Sequence, residues 1–156
     1  MVDVVSKNGT FLLSIPLKPD GTIDKQEEEI IADITAWMNI NGEAIFETRP
    51  FAYYGEGPFA EREEKENIHE LVCTHEDFRF TRKGDTLYAI CLKAQGDGQL
   101  TLHSLGNIKE QVREVSVLGS PSPAKWEWKE SKLTIQYQPP QVPVPLHTVK
   151  ILLKRE

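Results

Sequence analysis

FRFTRKGDTLYAIC, residues 78–91, decides the fold. Phe78 and Phe80 alternate with polar neighbours, and after Lys83-Gly84-Asp85 the alternation resumes with Leu87, Ala89 and Cys91. A period of two puts one set of side chains on one face of a strand, and Gly with Asp supplies the turn between. The same period recurs downstream at Leu100/Leu102, Val115/Val117, Trp126/Trp128, Leu133/Ile135/Tyr137 and Val149/Ile151/Leu153. Turns separate these runs at Gln95 to Gly98, Gly119 to Pro123, Lys129 to Ser131 and Pro139 to Pro145. Short strands at this spacing predict an antiparallel β-sandwich over 78–156, burying Leu87, Ala89, Leu133, Ile135, Val149 and Ile151.

Upstream the character changes near Pro50. Residues 10–16, TFLLSIP, form a continuous apolar run that predicts a strand buried on both faces, as in parallel sheets. Pro19-Asp20-Gly21 marks the turn within a loop from Leu17 to Ile23. Asp24 is placed to cap a helix, with Glu27 as its capping-box partner. That helix is expected from about Lys25 to about Ile40, its apolar face made by Ile30, Ile34, Trp37 and Met38 beside Ile31. Asn41-Gly42 predicts a left-handed stop. Met1 to Gly9 reads as the last turns of a helix closed by Asn8-Gly9. A lone βα unit cannot bury both faces of its strand, so the expectation is a remnant of a larger sheet. The division expected is 1–50 remnant, 51–77 linker and 78–156 sandwich. The linker is rich in aromatics (Phe51, Tyr53, Tyr54, Phe59) and carries a charged run from Glu61 to Glu66. Its length argues that it wraps over the sandwich or makes contacts.

Asp and Glu (24) exceed Lys and Arg (18), and the resulting net charge of −6 disfavours sequence-independent nucleic-acid binding. No apolar run is long enough to span a bilayer as a helix, and residues 1–7 do not read as a signal peptide. Cys73 and Cys91 are too few for a disulfide framework and lack metal-ligand spacing, so they read as small buried apolar residues.

VDVVSKNG, FLLSIPLKPDGTID and AWMNINGEAIFETRP, in this order, resemble the end of the catalytic barrel of α-L-fucosidases of glycoside hydrolase family 29. Tyr54-Gly55-Glu56-Gly57-Pro58, Asp77-Phe78-Arg79-Phe80-Thr81 and Gly84 to Ala89 are similar to that family's linker and first sandwich strands. The resemblance implies a mainly β chain, a C-terminal sandwich preceded by the last βα unit of a (β/α)8 barrel. It also implies retaining hydrolysis of α-L-fucosides by a complete enzyme, which is often periplasmic, secreted or lysosomal, with a fucosylated glycan as its partner. Two positions depart from the family pattern: Ser14 stands where asparagine is usual and Phe46 where tyrosine is usual. Ser14 lies at the carboxyl end of the presumed strand, the substrate side of a barrel, and is the one candidate substrate-binding residue.

A retaining glycosidase needs two carboxyl groups about 5 Å apart. The resemblance places both on earlier barrel segments that are absent from this sequence. Asp20 reads as a turn residue and Asp24 as a cap, while Glu43 falls at the wrong end of the helix, so no catalytic residue is expected. His69, His75, His103 and His147 show no ligand spacing, and neither metal nor other cofactor is expected. Ser6 and Ser14 lack the G-x-S-x-G context of serine hydrolases. Trp126 and Trp128 read as sandwich core; the alternative is an aromatic platform in a stand-alone carbohydrate-binding or structural module. The linker aromatics stay open between packing and recognition. The chain is expected to be inactive alone, and either to self-associate through the segment around Phe11 and Leu13, which has no partner in the sequence, or to repack that strand away from its barrel geometry.

Overall fold

The computed structural model describes residues 1–60, 72–94 and 96–154. Among these residues two α-helices, α1 (Val2–Ser6) and α2 (Lys25–Asn41), precede eight strands: β1 (Arg49–Glu56), β2 (Phe78–Lys83), β3 (Thr86–Cys91), β4 (Gln99–Leu102), β5 (Val112–Val117), β6 (Lys125–Lys129), β7 (Lys132–Gln136) and β8 (His147–Leu153). A five-stranded sheet in the order β1-β2-β3-β8-β5 packs on a three-stranded sheet, β4-β7-β6, and every pairing is antiparallel. The mainly β sandwich is the expected architecture.

Its core follows from the alternation. Phe78, Phe80, Leu87, Ala89, Cys91, Val149 and Ile151 project inward from the large sheet, and Leu100, Leu102, Leu133 and Ile135 meet them from the small one. All but Leu100 are fully buried. Trp126 and Trp128 pack half-buried against this core, lining its margin.

The opposite face of the large sheet is covered too. Tyr88 and Ile90 pack with Val2, Trp37 and Ala44. Trp37 Nε1 donates to the Leu146 carbonyl at 2.9 Å, and Thr81 Oγ1 donates to the Ala44 carbonyl at 2.7 Å. Helices, large sheet and small sheet thus form three layers.

Local signals in α2 behave largely as read. Asp24 Oδ1 accepts from the backbone N–H of Gln26 and Glu27, so Glu27 contributes its N–H rather than a reciprocating carboxylate. Asn8, at φ 61°, closes α1. The stop of α2 differs: Gly42 is right-handed (φ −58°), and the helix tightens into a 3-10 turn over Gly42–Ala44. Buried Asn41 donates from Nδ2 to the Trp37 carbonyl, and the Phe46 ring lies against Gly42, so packing holds the chain in helix and defers positive φ to Glu47.

Two further expectations need correcting. Residues 10–16 form no strand; a strand needs a ladder partner, and none of the described residues supplies one. The stretch 51–77 is not all linker, because Arg49–Glu56 pairs with β2 as the edge of the large sheet. Its register shifts between Pro50 and Gly55, which hides the alternation from a sequence reading. The charged run Glu61 to Glu66, His69 and Gln95 lie outside the described residues.

Candidate functional site

Ser14, the candidate substrate-binding residue, lies in an extended, exposed segment, and no described residue hydrogen-bonds its side chain. Around it Phe11, Leu12, Leu13 and Leu17 are exposed, Leu12 to 88%.

The other sequence candidates are occupied in structural roles. Asp20 Oδ1 accepts from the Thr22 N–H at 3.0 Å and from its hydroxyl at 2.7 Å, which makes the turn. Asp24 caps α2. Glu43 pairs with Lys150 Nζ at 2.9 Å and accepts from the Tyr88 hydroxyl. Burial, followed by the charge and hydrogen bond of Glu43, pushes that hydroxyl up to about 12. His75 and His103 are exposed and line one small polar pocket with Glu76, Asp97, Gln99 and Lys132. His147 is buried, its Nδ1 bonded to the Tyr137 hydroxyl, and burial lowers its pKa. Among the described residues no group of three His, Cys, Asp or Glu side chains converges as metal ligands would.

Chemistry-bearing residues that the sequence reading left without a role gather instead at the junction of β1, β2 and α1. Arg79 is fully buried; its Nε donates to Asp3 Oδ1 at 2.6 Å, and its guanidinium stacks on Phe59 (4.8 Å) and Tyr54 (5.5 Å). Burial would raise the Asp3 carboxyl, but hydrogen bonds and charges from Arg79 and Lys7 outweigh it and hold it below the usual value. Glu56 reaches the other sheet: Oε1 accepts from His103 N at 2.9 Å, and Oε2 from Ser104 N at 2.8 Å and the Ser104 hydroxyl. Asp77, fully buried, accepts from the N–H groups of Phe59 and Thr74 and from the Thr74 hydroxyl. Gly55 and Gly57 make room for this; an added Cβ would stand 2.3 Å from the Phe78 and Glu76 carbonyl oxygens respectively. The two motifs at Tyr54–Pro58 and Asp77–Thr81 are therefore fasteners, and the linker aromatics Phe51 and Tyr53 pack edge-on against Phe80.

One apolar cleft of about 400 Å3 opens between the helices and the large sheet, lined by Val2, Ile34, Trp37, Phe59, Leu92 and Leu146 among others, with the acidic Asp3 and Asp33 also among its described lining residues. Asp3 there is committed to Arg79 and Lys7.

Comparison with known proteins matches both halves in order. A family model described as α-L-fucosidase matches residues 1–43, and one described as α-L-fucosidase C-terminal domain matches residues 73–152, more than half of the chain. Human tissue α-L-fucosidase is 29% identical over 132 residues, covering 85% of this chain and 24% of that protein. Human plasma α-L-fucosidase is 31% identical over 128 residues, covering 81% and 24%. The chain spans about a quarter of the length of the curated relatives it matches. Thermotoga maritima α-fucosidase, solved with a mechanism-based inhibitor, superposes with TM-score 0.70 at 21% identity, covering 97% of this chain and 32% of that one. α-L-Fucosidase isoenzyme 1 of Paenibacillus thiaminolyticus superposes at 0.67 with 23% identity, covering 99% and 33%. At these identities the superpositions establish the fold.

Proposed function

The chain belongs to the α-L-fucosidase family, and from that premise we propose that it supplies the last βα unit of a catalytic barrel together with the sandwich that buttresses it. The complete protein then hydrolyses α-L-fucosides with retention and takes a fucosylated glycan as its partner. The observation that carries this reading is the order of the two family matches along one chain, 1–43 and then 73–152, on a helical layer bonded to a sandwich. We propose the functional division near Arg49: the segment before it belongs with the barrel, and β1 onward with the sandwich. Ser14 then stands near the substrate mouth.

By itself the chain does not turn over fucosides, because Asp20, Asp24 and Glu43 are each consumed in turn, cap and ion pair. Thr10 to Leu17, apolar and without a ladder, is where a barrel strand or a second copy of the chain would pair. The test is a chimera in which these 156 residues replace the matching C-terminal quarter of human tissue α-L-fucosidase. The soluble chimera is expected to release nitrophenol from nitrophenyl α-L-fucoside, whereas the pure 156-residue chain releases none. Turnover by the pure chain, or a folded chimera without activity, overturns the reading.

A further inference from the structure

We propose that the small sheet carries, at its β4 edge, a binding site for a neutral, hydroxyl-rich ligand, an oligosaccharide. Strand β4 sends Leu100 and Leu102 into the core, so Gln99 and Thr101 face outward, and Lys132 on β7 faces outward beside them. The turn at 74–77 brings His75 and Glu76 to the same edge, and with Asp97 and His103 these residues enclose a pocket of about 270 Å3. A second pocket, about 370 Å3, shares Glu76 and His103 with the first and continues to Glu56, Pro58 and Ser104. The shared residues join the two into one groove. Each pocket lies near the bottom of the range for ligand sites, roughly 300–1,000 Å3, so one sugar ring suits each and linked rings run through both.

The lining selects its ligand by exclusion as well as by attraction. Glu76 and Asp97 oppose an anion and Lys132 opposes a cation, so a charge of either sign meets its like. A metal ion needs converging ligands, and among the described residues no three His, Cys, Asp or Glu side chains converge. An added peptide strand would need the outer edge of β4 as a ladder. The Tyr137 N–H bond to the Gly98 carbonyl at 2.8 Å sets the parity of β4 and turns the N–H groups of Gln99 and His103 toward that edge. Both are taken, that of Gln99 by Asp97 Oδ1 at 3.0 Å and that of His103 by Glu56 Oε1 at 2.9 Å. A hydroxyl group fits where these ligands do not, because it donates and accepts at once. The Glu76 and Asp97 carboxylates can accept from sugar hydroxyls, while the Lys132 ammonium and the Gln99 amide can donate to them. Pro58 and the two imidazoles add non-polar surface for ring carbons. The groove lies wholly on β1 and later residues, so this proposal does not rest on the barrel reading.

The test is a titration of the full chain, uniformly isotope-labelled, followed by its backbone amide NMR signals. Lactose, fucosyllactose and maltotriose are the neutral probes, with inorganic phosphate and zinc chloride beside them. At least one sugar is expected to give saturable shifts in the millimolar range, centred on His75, Glu76, Gln99 to Ser104 and Lys132. Glu76→Gln and Lys132→Ala are each expected to weaken that binding about tenfold, the loss that removal of a hydrogen bond to a charged group brings. Both side chains are exposed, so both variants should melt with the wild type. The proposal is overturned if none of the three sugars gives saturable shifts, if the shifts fall elsewhere, or if both variants bind as the wild type does. Saturable binding of phosphate or zinc at these residues overturns it as well.

Discussion

Consider Glu56→Gln, a change that keeps shape and removes charge. The wild-type carboxylate accepts from two successive backbone N–H groups, His103 and Ser104, and from the Ser104 hydroxyl, while 9% exposed. An amide has one oxygen, so in either orientation one backbone N–H faces an NH2. The least costly orientation keeps the oxygen on Ser104 and strands the His103 N–H. A stranded buried donor costs about 1–3 kcal/mol, and loss of charge assistance in the surviving bonds adds about 1 kcal/mol, for a total of about 3 kcal/mol. In a domain of this size each kcal/mol moves the midpoint about 2–4 °C, so thermal unfolding should begin about 6–12 °C lower. The assay is near-ultraviolet circular dichroism against temperature, with Glu127→Gln as control. Glu127 is exposed and pairs with exposed Lys129 at 2.8 Å, so its loss should stay within about 0.5 kcal/mol. A shift for Glu56→Gln below about 2 °C, indistinguishable from the control, would refute the view that this motif fastens the two sheets.

Gly55→Ala drives a Cβ to 2.3 Å from the Phe78 carbonyl and 2.8 Å from Arg79 Nη1, and should cost about 3 kcal/mol or abolish soluble expression; denaturant titration measures it. His147, whose folded pKa burial lowers, binds its proton more readily unfolded. Stability should therefore be flat above about pH 6.5, fall as pH drops through the lowered folded value and then level off, and His147→Gln should flatten that slope in melts from pH 7.5 to 4.5. Asp3, also lowered, stabilises above its unfolded value and loses that contribution at still lower pH, so Asp3→Asn should remove only the most acidic part of the curve. A chain starting at Arg49 should keep a cooperative transition in calorimetry but melt lower, because Tyr88 and Ile90 lose the cover of Val2, Trp37 and Ala44.

Much of this fold is written locally. Strands β2 to β8 carry their alternation in contiguous residues, and burial of one face is enough to turn that alternation into a sandwich. Helix α2 likewise announces its cap at Asp24 and its buried Trp37 through spacing alone. The family motifs were legible for the same reason, each being a short run in fixed order.

What tertiary structure alone decided is whatever depends on a partner distant in sequence. Thr10 to Pro16 has the composition of a buried strand, but strand is a property of a pair, and without a ladder the run stays extended and exposed. Strand β1 is the converse case. Its alternation is broken by a register shift, yet β2 lies where Gly55 and Gly57 permit close backbone approach, so pairing overrides the weak local pattern. The Asp3–Arg79 pair and the bonds from Glu56 to His103 and Ser104 span 76, 47 and 48 residues. No periodicity encodes such distances. Hydrogen bonds of this kind exist only once burial has brought the donors and acceptors together and taken away the water that would otherwise satisfy them.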